Sequence, residues 1–135
     1  MSTVKLIQYE EASTEVQAVF DDIKETRKVE DVNNFWKALA NHPDTLERTW
    51  KTLKVIMQPG ELDALTKELI YLAVSIANKC NYCVHSHTAS AFKKGMTAAQ
   101  YQEFLAVVGM AHETNGLAIA MDVPIDPQFL AANGE

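Results

Sequence analysis

The sequence predicts an all-α protein, and three observations carry that prediction. Apolar residues recur at intervals of three and four in segment after segment, capping residues and prolines bracket those segments, and no stretch sustains the alternation of a strand. Thr14 followed by Gln17 resembles a capping box, and Val16, Val19, Phe20 and Ile23 share a face, so a first helix opens at Ser13 or Thr14 and ends near Arg27. A short second helix over Asn33 to Ala40 stops at Asn41, because His42 precedes a proline and is biased out of the helical region. Pro43 suits the first turn of a third helix. Asp44 and Glu47 favour its positive end, Leu46, Trp50, Leu53 and Ile56 line one face, and Pro59-Gly60 ends it.

The fourth helix starts about Asp63 and carries Leu65, Leu69, Ile70, Leu72, Val74 and Ile76 around most of its circumference, which predicts burial on several sides. It runs into a cysteine- and histidine-bearing stretch, KCNYCVHSH, followed by a further helix closed by Gly95 as a left-handed cap. Thr97 and Gln100 repeat the capping-box pattern and open a long segment from Ala98 to about Met121, in which Gly109 and Gly116 predict a kink or a close packing contact. From Asp122 the tail, with Pro124 and Pro127, reads as extended and surface-lying. The total is about six helices.

A chain of 135 residues is the size of one domain, and with no repeat or flexible linker the expectation is a single domain over residues 1–135. The net charge of -6 argues against a nucleic-acid binder, which needs clustered lysine and arginine. The longest apolar run, Leu69 to Ala77, is far shorter than the roughly 20 residues a membrane-spanning helix requires. The opening MSTVKLIQYEEAS lacks the basic-then-apolar pattern of a secretion signal, which points to the cytoplasm. In a reducing compartment a close cysteine pair is a metal ligand set or a working redox couple more readily than a permanent brace.

That pair, Cys80 and Cys83, contains both cysteines of the chain, and His85 and His87 are two of its four histidines. On a helix Cys80, Cys83 and His87 form one stripe while His85 points elsewhere. An imidazole one turn from Cys83 and the positive end of a helix both favour thiolate, the nucleophilic form. Cys80, one turn away, can capture an oxidised Cys83 as a disulfide. A zinc site from Cys80, Cys83, His85 and His87, or a pair of inert buried thiols, competes with that reading. The other two histidines, His42 and His112, read as cap, core or interface residues, and Phe35, Trp36 and Trp50 as packing residues more than pocket lining. Upstream, Glu68 sits within the apolar helix. Facing inward it would need a raised pKa or a hydrogen-bond partner and would act as a base or orient His87; facing outward it is a solvated glutamate beside Lys67.

Glu68, eleven residues, Cys80-x-x-Cys83, three residues and His87 together match the motif of the alkylhydroperoxidase D-like branch of the carboxymuconolactone decarboxylase family. The flanking TKELIYLAVSIANKCNYCVHSHTASAFKKG and FWKALANHPDTLERTW also resemble that family, so the likeness covers roughly Phe35 to Met121. The resemblance implies an all-helical fold that assembles by helix packing into homotrimers or homohexamers. It also implies a thiol-dependent peroxidase or related redox activity: Cys83 attacks the peroxide, Cys80 resolves the product, His87 and Glu68 relay protons, and a dithiol protein or small thiol restores the pair; no cofactor or metal is expected. Two alternatives stand beside it, a cofactor-independent lactone decarboxylase and a non-enzymatic redox-sensing or metal-binding protein. One position departs from the best-studied pattern of the branch, which has a histidine between the cysteines where this sequence has Tyr82, and a phenol is a poor base near neutrality. A continuous helix would also separate Glu68 from Cys83 by about 22 Å. The relay therefore needs either a group from a neighbouring subunit or a chain reversal around Asn78 to Asn81, and the reversal is the expectation because asparagines suit a turn.

Overall fold

A computed structural model describes residues 1–130. Every regular element among them is helical: a 3-10 turn at Tyr9–Glu11, then α1 (Thr14–Arg27), α2 (Asn34–Leu39), α3 (Pro43–Ile56), α4 (Ala64–Ala77), α5 (Asn81–Lys93), α6 (Ala98–Ala120) and α7 (Pro127–Leu130). These fall into two compact units, one spanning Met1–Gly60 and the other beginning at Glu61.

In the first unit the helix starts are set by local chemistry. Ser13 Oγ accepts from the Val16 N–H, and His42 Nδ1 accepts from the Thr45 N–H with Pro43 in the first turn of α3. His42 is thus a cap. Val16, Phe20, Ile23, Val32, Trp36, Ala40, Leu46 and Trp50 form the core of this unit. Trp36 and Trp50 meet edge to face with centroids 5.4 Å apart, and the Arg27 guanidinium lies over both rings at 5.4 and 5.3 Å. Trp50 Nε1 donates to Asp22 at 2.6 Å, and Lys54 reaches the same carboxylate at 2.8 Å, which together hold the Asp22 carboxyl below its usual range. Trp36 and Trp50 are therefore packing residues, while Phe35 stays largely exposed. The third helix stops at Ile56, short of the expected Pro59-Gly60, because Gln58 precedes a proline and the turn before it no longer propagates.

In the second unit α4 and α5 form an antiparallel pair, and the reversal between them is fully specified by backbone bonds. The Lys79 N–H donates to Ile76 O at 3.0 Å and the Cys80 N–H to Ser75 O at 3.0 Å, closing α4 with a left-handed residue. That residue is Lys79, at φ 57°, between the two asparagines. Cys80 then serves at once as the N-cap of α5. The far end of α5 repeats the motif with Gly95 at φ 96°, its N–H bonded to Phe92 O and the Met96 N–H to Ala91 O. Thr97 and Gln100 form the capping box that opens α6, and Phe92 meets Tyr101 edge to face across the α5–α6 turn.

Two expectations need correction. The fourth helix is not covered on several sides within the described residues: Leu72 and the polar Glu68 and Ser75 are buried on one stripe, whereas Ile70 and Val74 are more than half exposed. Its wide apolar surface exceeds what its main neighbour, α5, can cover, and α6 likewise has no fully buried residue. The long segment from Ala98 is a continuous helix of 23 residues through Gly109 and Gly116, with nothing close enough to either glycine to demand it. The tail is not wholly extended either. Pro127 occupies the first position of a short helical turn, where its missing N–H costs nothing.

Candidate active site

The reversal at Lys79 lays α5 back along α4 and brings Glu68 to His87, nineteen positions later in the sequence. A continuous helix would have kept them apart. His87 Nδ1 lies 2.7 Å from Glu68 Oε2, and Ser90 Oγ donates to Glu68 Oε1 at 2.8 Å. Lys94 Nζ forms an ion pair with that same Oε1 and donates to Ser90 Oγ at 3.1 Å. On the other side of the imidazole the Tyr71 ring stacks at a centroid distance of 3.9 Å and an interplanar angle of 24°. The Glu68 carboxylate is almost wholly buried and His87 mostly so.

Burial by itself pushes the Glu68 carboxyl up; the hydrogen bonds from His87, Lys94 and Ser90 outweigh it and bring the group down to about 2. Glu68 is therefore an anion at neutral pH and only an acceptor. It follows that Nδ1 of His87 carries the proton in their shared bond, so that Nε2 is the ring nitrogen able to accept one. Of the roles open to an inward Glu68, the geometry fits the orienting one, and the direction of its titration is opposite to that of a carboxyl poised as a base.

One turn before His87 on the same helix stands Cys83, joined to Cys80 by a disulfide. Cys80 Sγ also accepts from the Cys83 N–H at 3.2 Å, so a sulfur fills the place that serine or aspartate usually takes at a helix start. Cys83 lies in the first turn of α5, where the positive end of the helix dipole favours negative charge on sulfur once the bond is reduced. His85 is turned out to solvent and Tyr82 is also exposed. Among the described residues no three histidine, cysteine, aspartate or glutamate side chains are grouped to hold a metal ion; in this oxidised state the two sulfurs are committed to each other.

Three participants escape the sequence motif: Tyr71, Ser90 and Lys94. Their positions nevertheless follow helical spacing, since Cys83, His87, Ser90 and Lys94 descend one side of α5 at intervals of four, three and four.

The sequence profile of the carboxymuconolactone decarboxylase family matches residues 43–124, which include this whole arrangement. The chain belongs to that family. Within it, the structure is similar to the crystal structure of the alkylhydroperoxidase AhpD core from Rhodospirillum rubrum, with a TM-score of 0.94 and 55% identity over 97% of this chain and 98% of that one. An alkyl hydroperoxide reductase AhpD from Solibacter usitatus is 37% identical over 75 residues, 56% of this chain but only 40% of the relative. An uncharacterised protein of the cox locus in Paracoccus denitrificans is 31% identical over 77 residues, covering 52% of this chain and 69% of the relative. The all-helical AhpD-like fold and the family expected from the motif are both found. Among the described residues, no helix is long and apolar enough to cross a membrane.

Proposed function

We propose that this member of the carboxymuconolactone decarboxylase family is a thiol-dependent peroxidase. The observation that carries the reading is the Cys80–Cys83 disulfide at the N-terminus of α5, one turn from a histidine whose Nδ1 is anchored on a buried carboxylate. In the reduced protein His87 Nε2 takes the Cys83 proton and the thiolate attacks the terminal oxygen of a hydroperoxide. The O–O bond breaks, the alkoxide leaves with that proton as an alcohol, and Cys83 becomes a sulfenic acid. The Cys80 thiol then displaces the sulfenic oxygen as water, forming the disulfide seen here. A dithiol protein or small thiol returns two electrons and two protons. Glu68 contributes by holding the imidazole, and Tyr71 by stacking on it.

The likeness to proteins named alkylhydroperoxidase supports a peroxide as substrate. The exposed apolar faces of α4 and α6 support assembly into trimers or hexamers, which sedimentation equilibrium measures directly. A reducing cytoplasm suits a pair that must be regenerated.

The test is a free-thiol count on the reduced protein before and after one equivalent of peroxide. The parent is expected to lose two thiols, Cys80→Ser one, and Cys83→Ser none. An unchanged count in the parent ends the reading, and turnover of a lactone with both cysteines dispensable would replace it by the decarboxylase.

A further inference from the structure

The Glu68 carboxylate has more donors than are needed to orient an imidazole. Oε2 is occupied by His87, and Ser90 and Lys94 converge on Oε1. The groups facing the carboxylate are thus His87, Ser90 and Lys94 from α5, while Tyr71 from α4 covers the imidazole. Lys94 brings the ammonium group of this set to Oε1. Its side chain is about two-thirds buried, at 35% exposure, so its charge is only partly screened by water.

The charge state of Glu68 decides what His87 can do. An anionic Glu68 accepts the Nδ1 proton, and Nε2 is left with a lone pair able to take a proton from a thiol. A neutral Glu68 carries an O–H of its own, which it donates to Nδ1; the ring proton then sits on Nε2, which becomes a donor. The same two residues, still in contact, would no longer form a base. Burial favours the neutral carboxyl; His87 on Oε2 and the donors Lys94 and Ser90 on Oε1 oppose it together.

We infer that Lys94 is a positioning residue: by pairing with Glu68 Oε1, assisted by Ser90, it keeps Glu68 an anion and thereby fixes the histidine tautomer that activates Cys83. Glu68 on this account anchors the imidazole and does not carry protons, and Lys94 sets the lower edge of the pH range in which the thiol reacts. The inference rests on the reading of Cys83 as a thiol governed by His87, and needs no particular oxidant.

The test uses alkylation of the reduced protein by iodoacetamide in a Cys80→Ser background, which leaves Cys83 as the one thiol. Rates are measured from pH 4 to 9. With Lys94→Met the Glu68 carboxyl is expected to rise from about 2 by roughly two to three pH units, into the measured range, so that the acidic limb of the profile steepens and moves up, a roughly tenfold loss of rate on that limb, while the plateau at high pH is retained. Lys94→Arg is expected to restore the parent limb. A purely structural lysine would lower the plateau or the melting temperature without shifting the limb. A Lys94→Met profile that overlays the parent, or a Lys94→Arg profile that does not return to it, overturns the inference. Should Lys94→Met fail to fold by circular dichroism, Lys94→Gln is scored by the same criteria. Because no peroxide enters the assay, a parent that consumes no peroxide but shows the Lys94-dependent limb would sink the peroxidase and leave this inference standing; peroxide turnover with an unmoved limb does the reverse.

Discussion

Replacing Glu68 by glutamine removes the charge while keeping shape and an acceptor oxygen, so it isolates what ionisation contributes to the fold. The carboxyl falls from 4.5 to about 2 on folding, with its side chain only 4% exposed. At 1.36 kcal/mol per pH unit this corresponds to about 3 kcal/mol of stability at neutral pH. Because the folded value is the lower one, that stability is fully present above about pH 5 and is lost as pH falls toward 2. Urea unfolding of parent and Glu68→Gln, at one protein concentration, is the assay. The parent is expected to exceed the variant by roughly 2–3 kcal/mol at pH 7 and by only about half that at pH 3. Other carboxylates titrate in both proteins and cancel in the difference. A gap of the same size at both pH values would refute the reasoning, since the loss would then come from packing and not from charge.

Phe20 is fully buried in the first core, so Phe20→Ala is expected to cost about 3–5 kcal/mol in urea unfolding; a loss below 1 would mean the cluster is not a packed core. Lys79 holds a left-handed conformation at φ 57°, so Lys79→Gly is expected to stabilise the protein by about 0.5–1 kcal/mol while leaving the alkylation rate of Cys83 unchanged. A lower melting temperature in that variant would contradict the backbone assignment.

Helix starts were legible because caps are local chemistry: Ser13, Pro43, Asp63 and the Thr97–Gln100 pair all lie where the sequence puts them. The reversal was legible for a different reason, since a straight helix could not bring Glu68 near the cysteines; the asparagines marked the turn, though the left-handed position falls on Lys79 between them. Whether Glu68 faces inward was open on pattern alone, because an apolar circumference does not say which side another helix will cover. The same ambiguity produced the overstatement of burial on α4: apolar character records that a surface wants cover, not what supplies it. Ser90 and Lys94 stayed hidden because each has an ordinary local explanation, a small residue on a helix and a cation near its C-terminus. Only the packing of α5 on α4 turns both toward one carboxylate.

Every side chain of the Glu68–His87–Cys83 arrangement comes from one uninterrupted hairpin, delimited by Asp63 at one end and Gly95 at the other. The chemistry is in that sense a cassette: lengthening or shortening the chain outside it leaves the spacing of its parts untouched, whereas a single residue inserted between Cys83 and His87 within α5 would turn one against the other by about 100° and scatter them. Tolerance to insertion should therefore drop abruptly at the borders of this hairpin.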